Sequence, residues 1–135
     1  MKSSTLIGMA VLLFGFFGLF GPSGRSFPLQ PGKIVPGATG TVKVSKDTNN
    51  GNLKLDIKVK DLALPGSLTP PQNEYIVWLE PYNNKGQPIK QGAIGVDGKE
   101  QGELKTETAS KNFNVLITAE TNEAVTSPSD KVVLR

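Results

Sequence analysis

The side chains most often used for catalysis and metal binding are missing from this 135-residue chain, which holds no cysteine and no histidine. No thiolate nucleophile, disulfide framework, iron–sulfur site or Cys-rich zinc site can be built from it. Neither can a Ser-His-Asp triad, a histidine metal site or an imidazole pH switch. Oxygen chemistry remains. Asp47-Thr48-Asn49-Asn50-Gly51-Asn52 alternates oxygen-bearing side chains as a calcium loop does. Its glycine stands fifth rather than sixth, however, and its twelfth position is Lys58 rather than a bidentate glutamate. The same residues are strong turn formers, so this segment is expected to be a hairpin turn. Glu100, Glu103, Glu107, Glu120 and Glu123 offer carboxylates. A glycosidase pair would need two of them about 5–10 Å apart in a cleft. Their placement on polar stretches suits a solvated face better. Gly95-Val96-Asp97-Gly98 matches no phosphate-cradling pattern, because no helix follows it. These residues give no catalytic site and no cofactor or metal site, and the chain reads as a non-enzyme.

The elements that carry these residues alternate with a period of two from Thr39 onward. Val42 and Val44 alternate with Thr41, Lys43 and Ser45. Leu53 to Lys60 places four aliphatics on one face and four charges on the other, which describes a strand with one buried and one wet side. Ala63 to Asn73 holds Pro65, Gly66, Pro70 and Pro71 and reads as a crossing loop. Tyr75-Ile76-Val77-Trp78-Leu79 is apolar on both faces and belongs in the middle of a sheet. Weaker strands follow at Ile89 to Val96 and Gly102 to Thr108, with an Asp97-Gly98 hairpin signal between them. Phe113, Val115, Ile117 and Ala119 alternate again, and Lys131 to Arg135 closes the chain. About seven short strands in this span predict an all-β fold, an immunoglobulin-like Greek-key β-sandwich. Its expected core is Val42, Val44, Leu55, Ile57, Val59, Trp78, Phe113, Val115, Ile117 and Val133.

With Trp78 and Ile76 assigned to that core, Tyr75, Val77 and Leu79 form an outward apolar row. This row is the candidate partner interface, for an envelope protein or a second copy of the chain. The competing reading covers it with the Phe27–Pro36 segment or with ordinary central-strand packing.

The N-terminal part addresses the chain. Met1 to Thr5 carries one lysine and Leu6 to Gly21 no charge, as in a secretory signal. The run is short for a permanent span, which usually needs about 20 apolar residues. Residues 1–26 are therefore expected to be a signal peptide or short membrane anchor, with cleavage placed before Phe27. Residues 27–37 read as a Pro/Gly-rich linker and 38–135 as the sandwich. The folded part is expected outside the cytoplasm, in the periplasm or at the cell surface, with membrane contact only through residues 6–21 if uncleaved. The net charge of +3 includes Lys2 and Arg25 around that run. The rest is nearly neutral, with lysines interspersed among acids, so nucleic acid is not an expected partner.

Several of these pieces resemble the extracytoplasmic C-terminal domain of anti-sigma-K factors: Tyr75-Ile76-Val77-Trp78-Leu79, Gly92, Val115-Leu116-Ile117-Thr118-Ala119-Glu120, and Ser127-Pro128-Ser129 with Val132-Val133-Leu134. The resemblance covers about the last 65 residues. It implies a sandwich outside the membrane. It does not imply sigma-factor binding, because only five residues precede the hydrophobic run. A second likeness, to Cu/Zn superoxide dismutase-type sandwiches, rests on the first hairpin followed by Leu62-Ala63-Leu64-Pro65-Gly66. The metal site of those proteins needs histidines that this chain lacks. The sequence thus predicts a binding or structural module of the bacterial cell envelope, with a sensory partner in an anti-sigma-like system as the alternative.

Overall fold

A computed structural model describes residues 24–82 and 86–135. The export segment read at 1–23 lies outside the described residues. The chain runs β1(Arg25–Leu29), β2(Thr39–Lys46), β3(Leu53–Lys60), β4(Glu74–Pro81), β5(Ile89–Ala93), β6(Gly102–Thr108), β7(Phe113–Glu120) and β8(Val132–Leu134). One 3-10 turn at Pro65–Ser67 is the sole helical element among the described residues. The strands form two antiparallel four-stranded sheets, ordered β1-β2-β3-β6 and β5-β4-β7-β8.

Alternation decides which side of each strand is buried. In β3, Leu53, Leu55, Ile57 and Val59 are buried while Lys54, Lys58 and Lys60 are exposed. Register places Val44 opposite Leu55 and Val42 opposite Ile57, so two rows of aliphatics face inward together. They meet Tyr75, Val77, Leu79, Phe113, Val115, Ile117 and Ala119 of the second sheet in one continuous core. At about 25 cal/mol per Å² of apolar surface, burial on this scale is the main force holding a cysteine-free sandwich together. The turn expected at Asp47–Asn52 forms. The Asp47 amide donates to the Asn52 carbonyl at 2.8 Å, and the Gly51 amide to the Asp47 carbonyl at 2.8 Å.

Two connections differ from the sequence reading. The Pro/Gly-rich stretch was expected to be a linker, yet its first part is strand β1, with Phe27 and Leu29 buried opposite Val42 and Gly40. Arg25, grouped with the export flank, belongs to this strand, and its guanidinium sits 6.0 Å from the Phe27 ring centre. The chain then changes sheets. Gln30 and Arg135 exchange amide–carbonyl bonds at 2.7 and 2.9 Å, and the Gly32 amide reaches the Val133 carbonyl at 3.0 Å. Prolines are tolerated here because β1 is an edge strand. Only glycine fits at position 32, where an added Cβ would stand 2.5 Å from the Val132 carbonyl oxygen. One side of the sandwich is thereby stitched shut.

The second difference is Asp97-Gly98. Its turn forms, with the Asp97 carboxylate accepting the Lys99 and Gln101 amides at 2.8 and 3.0 Å. It does not make a hairpin: β5 pairs with β4 and β6 with β3, so the chain crosses between sheets here. Turn chemistry is local and does not say which sheet the next strand joins. Ile94, buried at the crossing, carries the chain through the core edge.

Candidate functional site

Tyr75, Val77 and Leu79 were expected to form an outward apolar row. The structure reverses this: all three point into the core between the sheets, with relative exposures of 1%, 0% and 1%. Ile76 and Trp78 take the outer face instead, packing with Leu116 under Ala93, Val125 and Val132. Five consecutive apolar residues carry no alternation, so the sequence left the two faces indistinguishable. What separates them is polar. The Trp78 indole needs a hydrogen-bond acceptor when buried, and it finds one on the outer face, where its Nε1 donates to Thr118 Oγ1 at 2.9 Å. Thr118 Oγ1 donates in turn to Glu120 Oε2 at 2.6 Å, and the Ser129 amide donates to the same carboxylate oxygen at 2.8 Å. Thr118 and Glu120 are both buried. The connection from β7 to β8 closes over this chain of bonds, and the Lys90 ammonium fastens it from β5 by donating to the carbonyls of Glu123 and Val125. The outer face of the second sheet is covered by its own chain.

Tyr75 keeps a polar tip at the core margin, where its hydroxyl donates to the Ala63 carbonyl at 2.5 Å. Burial, with a smaller contribution from the negative charge of Glu100, pushes its pKa up to about 12.

The carboxylates considered as a catalytic pair are dispersed. Glu120 lies under the β7–β8 connection and Glu123 on it. Glu103 and Glu107 stand four residues apart on β6, roughly 13 Å along the strand. Glu100 sits in the Asp97 turn with a positive φ of 63°. The oxygens of the calcium-like segment serve the turn itself. Asp47 Oδ1 accepts the Asn49 amide and Asn50 Oδ1 the Asn52 amide, each at 2.9 Å. Glu107 Oε2 accepts the side-chain amides of Asn50 and Asn52 at 3.0 Å, tying the turn to β6. No group of three or more Asp or Glu side chains suited to a metal occurs among the described residues.

The outer face of the first sheet is a different surface. Its β2, β3 and β6 positions hold Thr41, Lys43, Ser45, Lys54, Asp56, Lys58, Lys60, Glu103, Lys105 and Glu107, with no aliphatic or aromatic residue. Register puts Lys43 and Lys105 on either side of Asp56, while Lys54 and Lys58 flank it along β3. None of these four lysines makes an ion pair or hydrogen bond through its ammonium among the described residues. Asp56 Oδ1 is buried beside them without a hydrogen-bond partner. Lys43, Ser45, Lys54, Asp56, Lys105 and Glu107 line an open depression of about 460 Å³. Along the chain these lysines are spaced among acids and read as solvation. Only the pairing of β3 with both β2 and β6 gathers them.

In comparisons with known proteins, no family model matches the chain and no curated protein matches it.

Proposed function

We propose that this chain is an exported, non-enzymatic sandwich with immunoglobulin-like Greek-key connectivity, serving as a binding or structural module in the bacterial cell envelope. The crossings from β3 to β4, β5 to β6 and β6 to β7 support the connectivity. The uncharged run at 6–21 behind Lys2 supports export. The two main segments that resemble the anti-sigma-K outer domain are the neighbouring strands β4 and β7, paired from Glu74–Glu120 to Pro81–Phe113. Because β1 begins at Arg25, a signal cleavage that spares the strand falls before that residue rather than before Phe27.

One observation carries the binding role. Of the two outer sheet faces, one is sealed by the β7–β8 connection and the other is left open and lysine-lined. The open face replaces Tyr75, Val77 and Leu79 as the proposed contact surface. The test is a photo-crosslinking residue placed in intact cells at exposed Thr41, with the same residue at exposed Ala124 on the covering connection as control. Envelope polymer, an envelope protein or a second copy captured from position 41 and not from 124 is the expected result. A chain shielded from external protease and retained in the cytoplasm, or equal capture from both positions, overturns the reading.

A further inference from the structure

Resting on the binding-module reading, the structure assigns a ligand class to the open face: an acidic, hydroxyl-bearing polysaccharide, held over the depression by Lys43, Lys54 and Lys105 around Asp56.

Charge is the first part of the argument. This face holds five lysines (43, 54, 58, 60 and 105) against three carboxylates (Asp56, Glu103 and Glu107). Over the rest of the described residues, eight cations meet nine anions. The positive excess is therefore local to one sheet face. Glu107 is further occupied by two side-chain amides at the turn end of that face. Glu103 and Glu107 stand opposite Lys58 and Lys54 in the register, yet among the described residues no carboxylate comes within ion-pair distance of Lys43, Lys54, Lys58 or Lys105, which leaves their ammonium groups to take anionic groups of a ligand.

Shape and the absence of other contact types give the second part. Register places Lys43 and Lys105 about 10 Å apart on either side of Asp56, and Lys54 and Lys58 roughly 13 Å apart along β3, a flat array of cations interleaved with carboxylates over which an extended polymer with repeated charges can lie. Surfaces that embed in anionic membranes add inserted apolar side chains to their basic residues. Single-stranded nucleic acid is held by cations together with stacking aromatics. Neither apolar nor aromatic residues occur at the outer positions of β2, β3 and β6. Thr41, Ser45 and the carboxylates instead supply donors and acceptors for hydroxyl groups, which a glycan carries on each sugar unit.

Asp56 supplies the sharpest test. It is the one anion at the centre of the cluster, so it weakens the hold on any polyanion. The full chain, in mild detergent, is titrated with polygalacturonate at low ionic strength, beside dextran, polyphosphate and phosphatidylglycerol vesicles. Polygalacturonate is expected to bind, and dextran, lacking charge, is not. The triple variant K43Q/K54Q/K105Q loses about tenfold or more in affinity, and Asp56→Asn gains about threefold, the effect of one unit charge about 6 Å away in water. Unchanged Trp78 fluorescence establishes that the variants are folded. Absence of polygalacturonate binding, binding unaffected by the lysine substitutions, or equal binding to polyphosphate or vesicles overturns the glycan assignment. Capture from position 41 in cells together with no polygalacturonate binding removes the ligand class and leaves the module reading standing; failure of both removes both.

Discussion

Trp78 is held both by packing and by a hydrogen bond that continues through Thr118 to Glu120 and Ser129. Trp78→Ala is expected to cost roughly 3–5 kcal/mol in urea melts, the range for emptying a buried aromatic site. Thr118→Val keeps the shape but orphans both the indole N–H and a lone pair of a buried carboxylate. A loss of about 1–3 kcal/mol is expected, and a neutral result would show that the relay is not formed. Tyr75 gives a prediction in pH. Burial pushes its pKa in the fold up to about 12, against 10.0 for the free side chain. The unfolded chain therefore releases that proton first. Stability is unaffected below pH 10, falls as pH rises from 10 towards 12, and has lost this contribution above that. Tyr75→Phe, which cannot ionise, should flatten the alkaline limb of a stability–pH profile while removing the bond to the Ala63 carbonyl at every pH. At this scale the sequence made burial legible, since every residue of the expected core is buried. It did not make direction legible in β4, because an unbroken apolar run has no period from which to read a face.

Elements were legible where alternation and turn chemistry agree. The Leu53–Lys60 strand and the turn before it are both found where their residues place them. Strand β1 was hidden because Pro28 lies within it and Pro31 follows it, and prolines argue against a strand until it is known to be an edge. The sheet crossing at Asp97 was hidden for a different reason: strand order depends on contacts distant in sequence. That crossing is close-packed. An added Cβ on Gly102 would lie 2.2 Å from the Gly95 carbonyl oxygen, a backbone atom that cannot swing away. Gly102→Ala is expected to destabilise by about 1–3 kcal/mol, as overpacking does; melts matching the parent chain would show the crossing to be loose. The β7–β8 connection depends on Lys90. Lys90→Ala should speed hydrogen exchange at the Ala124 and Ser129 amides and leave β3 amides unchanged. Faster exchange throughout would mean that Lys90 supports the whole fold rather than the covering segment.

For the whole molecule, the consequence is an asymmetric sandwich. One sheet turns its outer side to its own β7–β8 connection, and the other turns a lysine-lined face outward. Charged residues along β6 also suit an exposed sheet edge, where Glu103, Lys105 and Glu107 discourage pairing with another chain. The composition alone gave a nearly neutral domain with scattered lysines, because summed charge says nothing of how strands are ordered. The most direct measurement compares lysine acylation rates, site by site, in intact cells and on the purified full chain. An engaged open face predicts that Lys43, Lys54, Lys58 and Lys105 are protected several-fold in cells, while exposed Lys33 and Lys99 react equally in both. Equal reactivity of the four face lysines in the two settings would contradict the account.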